Sequence, residues 1–155
     1  MKKRLKWTAL VLIAGFALLQ LANPALTNPP VINDVLAGNP PPPQIAERLH
    51  ATCYDCHSYE TKWPWYAHVA PMSWLIASDV NGGREHLNLS DWPKDSERAA
   101  KKLERMSEAI EDKDMPMPKY TLIHAEARLT DDQRKELMKW LDATAEQLKS
   151  AAPAK

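Results

Sequence analysis

The chain has 155 residues, with twenty Lys plus Arg balanced by twenty Asp plus Glu, 45% hydrophobic residues, thirteen prolines, four glycines and two cysteines. That length holds one ordinary domain with attachments. Neutral charge excludes the strongly basic surface of a nucleic-acid binder, the apolar content excludes wholesale disorder, and two cysteines exclude a disulfide-rich scaffold.

The charge is unevenly placed. Lys2, Lys3, Arg4 and Lys6 precede the first acidic residue, Asp34, and removing those four leaves 16 basic against 20 acidic residues. Directly after them, residues 7–22 are apolar apart from Thr8, Gly15 and Gln20. A basic start followed by an apolar run is an export signal, and a run without a polar stripe is not a buried amphipathic helix. Pro24 spoils the small-x-small pattern that a signal peptidase reads. Residues 1–22 are therefore expected to remain as an N-terminal membrane anchor, with the basic end cytoplasmic and everything after Asn23 across the membrane.

Residues 23–43 hold seven of the thirteen prolines, ending in four in succession from Pro40 to Pro43. This composition favours extended polyproline geometry and reads as a semi-rigid spacer. The folded unit is expected over 44–148, and 149–155 as a frayed tail. Within the unit the pattern is helical. Ile45, Leu49 and Cys53 recur every four residues over 44–56. A helix over 71–81 is expected to stop at Gly82-Gly83. Over 96–111, Ala99, Leu103, Met106 and Ile110 share one face, with charges on the other. Thr130 and Gln133 form a capping box that opens a helix carrying Leu137, Trp140, Leu141 and Leu148. No alternating strand pattern of useful length occurs, so the fold is all-α.

Both cysteines fall in Cys53-Tyr54-Asp55-Cys56-His57. C-x-x-C-H is the attachment sequence of c-type haem. Two thiols three positions apart on a helical turn can add to two vinyl groups of one porphyrin, and the next residue can place an imidazole nitrogen on the iron. Three rivals exist. A thioredoxin-like dithiol needs a preceding strand, a zinc site would crowd His50, Cys53, Cys56 and His57 into eight residues, and a disulfide is the plainest. The export signal favours haem, because covalent attachment takes place after export.

The surrounding residues resemble a known family. Cys53 to Ser58, Trp63-Pro64-Trp65-Tyr66, Ala70-Pro71-Met72-Ser73-Trp74-Leu75, Gly83-Arg84-Glu85-His86-Leu87-Asn88, Trp92, Met115-Pro116 and Tyr120-Thr121-Leu122-Ile123-His124 follow one another as in the bacterial haem-binding domain family. The resemblance covers Ile45 to about Leu141. It implies a small, cytochrome c-like helical domain around one haem.

Ligands are then sought on both faces of the haem. The second nitrogen of His57 is expected on a backbone carbonyl, with Pro71 a better-placed candidate than Pro64. For the sixth ligand, Met106 and Met138 belong to amphipathic helices, and Met72 and His50 to the proximal side. Met115 and Met117 lie on a proline-fixed loop whose alternate residues share a direction. Met115 is chosen because it occupies the M-P position of the family pattern, ahead of Met117 and of a histidine such as His124. The indoles are candidate propionate donors, Arg84 is either another such donor or, more readily, a solvated surface charge, and Trp140 is either haem contact or core. The expected function is single-electron transfer with an unidentified redox partner at the periplasmic face of the membrane, and no catalysis. The alternatives are a haem-based gas or redox sensor and a peroxidase-type enzyme recruiting His68, His86 or His124. A ferrous form that ignores carbon monoxide separates the first from the second.

Overall fold

The computed structural model describes residues 1–151 and is all-α. Among these residues there is no strand, only an isolated bridge between Asn33 and Asp91. Helix α1 (Lys2–Leu19) continues as a 3₁₀ turn to Ala22 and buries none of its residues. Its 21 residues Lys2–Ala22 form the one described helix long and apolar enough to cross a membrane; at about 1.5 Å per residue it reaches roughly 30 Å. A signal sequence has the same character.

The proline-rich segment is not a free spacer. Asp34 caps the short α2 (Val35–Gly38), its carboxylate accepting from Leu36 N at 2.7 Å. Ile32 N and Asn33 N donate to Ser90 O, and Trp92 N donates to Asn33 O. Val35 is fully buried against Leu89 and the domain core. The folded unit thus begins upstream of Gln44. Proline cannot donate to a ladder, yet single residues between prolines still can, and here they do.

The core lies where α6 (Ser96–Glu111) packs along α8 (Asp131–Ala151), with α3 (Pro43–Leu49) across them. The spacing of Ala99, Leu103, Met106 and Ile110 puts all four on the buried face of α6. Asp95 caps its start through Arg98 N. The capping box forms on α8: Thr130 N donates to Gln133 Oε1 at 2.9 Å and Gln133 N to Thr130 Oγ1 at 3.2 Å. Leu137 and Leu141 meet Leu103 in the interior, and Trp140 is half-buried against the same cluster. Lys149, Ser150 and Ala151, expected in the tail, belong to α8, and residues 152–155 lie outside the described ones.

Helix α5 (Met72–His86) runs straight through Gly82 and Gly83. The expected stop there was wrong. A glycine pair ends a helix only where the chain needs left-handed backbone, and neither glycine has a positive φ. Gly83 serves a close approach.

Candidate functional site

From Pro43 to His57 the chain is helical without a break, but its middle widens. α3 passes through a π-turn at His50–Tyr54 into α4 (Asp55–His57). Such a turn adds one residue to the ladder and re-aims the side chains that follow, often at functional sites. Here it covers Cys53 and directly precedes Cys56 and His57.

Contacts from distant segments fasten this turn. Tyr54 donates its hydroxyl to Asp34 at 3.0 Å, Leu89 N donates to His57 O at 2.7 Å, and Tyr120 donates its hydroxyl to Asp55 Oδ2 at 2.8 Å. Arg84 is neither a solvated charge nor a free donor. Its guanidinium donates to Ser58 O, Thr27 O, Asn28 Oδ1 and Thr61 Oγ1, all at 2.8 to 2.9 Å, and ties the proline-rich segment to the motif.

Helix α5 closes the turn from one side. A Cβ at Gly83 would lie 2.5 Å from the Cys56 carbonyl oxygen, whereas one at Gly82 would meet nothing within 4 Å. Opposite outcomes are expected from two adjacent substitutions. Gly82→Ala should raise stability by about 0.5–1 kcal/mol through helix propensity alone. Gly83→Ala should lower it by about 1–3 kcal/mol, because the obstacle is backbone and cannot swing aside. Thermal unfolding of the two variants checks this, and equal shifts would contradict it.

Gly83 also positions the imidazole. His57 Nδ1 lies 2.9 Å from Gly83 O and 3.0 Å from Leu87 O, so a proton on Nδ1 donates to both. Burial lowers the His57 pKa against the opposing pull of those carbonyls. The ring is therefore neutral at pH 7, with its Nε2 lone pair available, the form in which histidine binds a metal. Pro71 is not the partner: its carbonyl accepts from Trp74 N at the start of α5, and that of Pro64 accepts from Ala67 N.

Both cysteines are free thiols. Burial pushes Cys53 up, opposed by the Thr52 hydroxyl. Burial, followed by the negative charges of Asp55 and Asp79, pushes Cys56 up to about 11. A redox dithiol needs a lowered pKa, so the thioredoxin-like reading is disfavoured. Zinc is disfavoured too, since no three His, Cys, Asp or Glu side chains converge among the described residues.

His57, Cys53 and Met115 open on one cavity, walled by Leu87, Met106 and Ile110. Lys102 and Arg105 of α6, and His86, stand at the same cavity. Cys56 and Met117 line a different, neighbouring cavity. The expectation that Met115 and Met117 share a direction fails for a local reason. Met115 N donates to Ala109 O and so belongs to the end of α6. Met117 caps α7 (Pro118–Ile123), its carbonyl accepting from Tyr120 N and Thr121 N.

An imidazole, a thioether and the Cys53 thiol on one largely apolar cavity, with the Cys56 thiol on the neighbouring one, are donor types that suit a haem. A family model for a haem-binding domain matches residues 14–143. The chain belongs to the haem-binding domain family. No match was found among curated proteins or among solved structures.

The family match begins within α1 and ends within α8, and so takes in the proline-rich segment that the structure packs on the domain. Within this haem-binding domain the other candidates scatter. His124 has both ring nitrogens engaged, by the Tyr66 hydroxyl at 2.8 Å and Glu126 at 3.0 Å. Met72 lines the second cavity, Met138 packs against the core, and His50 lies tilted against the Tyr54 ring at 3.9 Å. His68 is exposed, its carbonyl accepting from Asn23. Lys102 and Arg105 were not singled out from the sequence, where they read as solvated charges. Their three-residue spacing, one turn of α6 just ahead of buried Met106, was the available signal.

Proposed function

We propose that this haem-binding domain is a membrane-tethered, single-haem c-type cytochrome that passes single electrons on the outer side of the cytoplasmic membrane. The observation that carries this reading is that His57, its Nδ1 tied to two carbonyls, and Met115 open on one apolar cavity beside Cys53. Bound haem supplies a one-electron ferric–ferrous couple. The Cys53 and Cys56 thiols would hold it covalently, each adding S–H across a vinyl group, sulfur to one carbon and hydrogen to the other, without an oxidant. His57 Nε2 and Met115 Sδ would hold the iron, so that the bound group would serve electron exchange rather than substrate binding. Lys102 and Arg105, at the same cavity, would balance the negative charge of the haem's carboxylates. The remaining net charge of −4 outside the N-terminal cluster suits a basic patch on a redox partner, with an association rate that falls with salt.

Carbon monoxide tests the ligand set. The dithionite-reduced protein should keep its spectrum under carbon monoxide, and rapid formation of an adduct would favour a sensor. Membrane tethering is tested on the same protein, which should fractionate with membranes and turn soluble, with an unchanged spectrum, when started near Pro24 behind a cleavable export signal.

A further inference from the structure

Between Lys62 and Asp79 stand sixteen residues without an Asp, Glu, Lys or Arg, in a chain where 26% of residues are charged. Folding sorts them against the usual rule. The small Ala67, Ala70, Ser73 and Ala77 are buried, while the large Trp65, Trp74 and Leu75 are 79%, 39% and 45% exposed. Helix α7 is joined to this segment near both of its ends: Lys119 Nζ donates to Asp79 Oδ1 at 2.7 Å, and the Tyr66 hydroxyl lies 2.8 Å from His124 Nε2. It adds Leu122 and Ile123, 75% and 60% exposed. Outside residues 1–22, every exposed large apolar side chain among the described residues belongs to these two segments, apart from Val31 and Ile32. Exposed apolar surface gathered in this way marks an interaction site.

This face adjoins the end of α1. Ala70 N donates to Gln20 Oε1 at 2.9 Å, Asn23 Nδ2 to His68 O at 3.0 Å, Ser73 Oγ to Asn23 Oδ1 at 2.6 Å, and the Trp74 indole to Ala22 O at 2.9 Å. These bonds satisfy polar groups at a helix end and hold the domain where α1 stops. The length of α1 then sets the depth. Its uncharged part is the sixteen residues 7–22. At about 1.5 Å per residue they reach roughly 24 Å, short of the roughly 30 Å hydrocarbon core. A short span draws its flanking residues towards the bilayer. Here the flank is Trp74 with Trp65 nearby, and indoles concentrate at membrane interfaces because the ring is apolar and its N–H polar.

We propose that this face docks on a phospholipid bilayer, so that the domain lies against the membrane instead of swinging on its tether. The inference rests on reading α1 as a membrane anchor. It is separate from the haem site: Trp65 and Trp74 line neither the His57 cavity nor the one lined by Cys56. Continuity with α1 decides between lipid and a protein partner. With α1 inserted, lipid already surrounds the helix end to which Trp74 is bonded, and a protein would have to displace it. The absence of fixed charge over 63–78 suits the same occupant, since no carboxylate or ammonium there has to be desolvated. A docked domain leaves to a soluble partner only the faces turned away from the bilayer.

The test uses the full-length protein in phospholipid nanodiscs containing a phosphatidylcholine with a photoactivatable diazirine near the carbonyl end of one acyl chain. After irradiation, peptides that carry lipid adducts are mapped by mass spectrometry. Adducts are expected in α1 and in the peptides that hold Trp65, Trp74 and residues 122–123. Trp65→Glu with Leu122→Glu should leave helix content and the α1 adducts unchanged. The same pair should cut the domain adducts roughly fivefold or more, since binding to a membrane surface scales with the apolar area it buries. Leu122→Glu alone should give a smaller fall in the same peptides, and it keeps the test decisive if the pair disturbs the turn. Adducts confined to α1 overturn this inference and leave the anchor standing, and two copies per disc would then assign the face to a second chain. Domain adducts that both variants leave unchanged overturn the assigned face. Absence of adducts from α1 overturns the anchor and the docking with it.

Discussion

Replacing Cys53 and Cys56 together with alanine should bring haem retained through denaturation and acid extraction down to background. The reason is a difference in bond type. On the proposed ligand set, iron binding by His57 and Met115 would need the folded cavity and would be lost when the chain unfolds. A thioether survives unfolding. Each single replacement should therefore still leave a haem-stained band, since either thiol alone makes a covalent bond, but with lower yield. His57→Ala should behave differently again. The thiols remain, so any haem attached stays on the denatured chain, but the iron loses the ligand that Gly83 and Leu87 orient. That variant should accumulate as apoprotein or as a misligated, unstable form. Staining of a denaturing gel, with haem absorbance of the extracted pellet, reads all four variants beside the wild type. Haem that leaves the wild-type chain on extraction would show that attachment is not covalent.

The features written locally in the chain were legible before its structure. The Thr130 and Gln133 cap depends on two residues three apart, and the buried face of α6 on one helical period. The five-residue window at Cys53 to His57 pointed to haem binding, which the family match supports. What could not be read depends on segments far apart in sequence. Asn33 and Asp34 look like spacer residues until the 88–92 loop is beside them. Asn33 exchanges bonds with Trp92, and Asp34 receives the hydroxyl of Tyr54.

Gly82-Gly83 misled for a similar reason. A glycine pair is a helix stop by local statistics, but Gly83 answers to the Cys56 carbonyl, 27 residues earlier in the chain. The same approach puts the Gly83 carbonyl, not that of Pro71, on His57. Offset counting found an acceptor of the right kind and missed the one that geometry supplies. Arg84 reads as a surface charge because its acceptors are scattered over Thr27, Asn28, Ser58 and Thr61.

Replacing Met115 with alanine should remove the weak sulfur-to-iron band near the red end of the oxidised spectrum and turn a form inert to carbon monoxide into one that binds it fully. Three observations single out this methionine. Met115 lines the cavity onto which His57 opens. Its backbone is held from two sides: Met115 N donates to Ala109 O at 3.0 Å, and Arg134 of α8 donates from Nη1 to Ile110 O at 2.6 Å and to Met115 O at 3.4 Å. The competing side chains are committed elsewhere, Met117 to the second cavity with Cys56 and His124 to Tyr66 and Glu126. Loss of the thioether should also lower the potential, because methionine with histidine favours the ferrous state over weaker or harder ligands. Met117→Ala should leave the band, the potential and the carbon monoxide response nearly unchanged. Arg134→Met should fall between the two, keeping the ligand but freeing the loop that carries it, and so weaken the band without abolishing it. The reverse pattern in the two methionine variants would move the ligand to Met117. No change in either would point to His86, whose Nδ1 lies 2.7 Å from Gly82 O and which shares the cavity with His57. Its Nε2 is then the group to remove next.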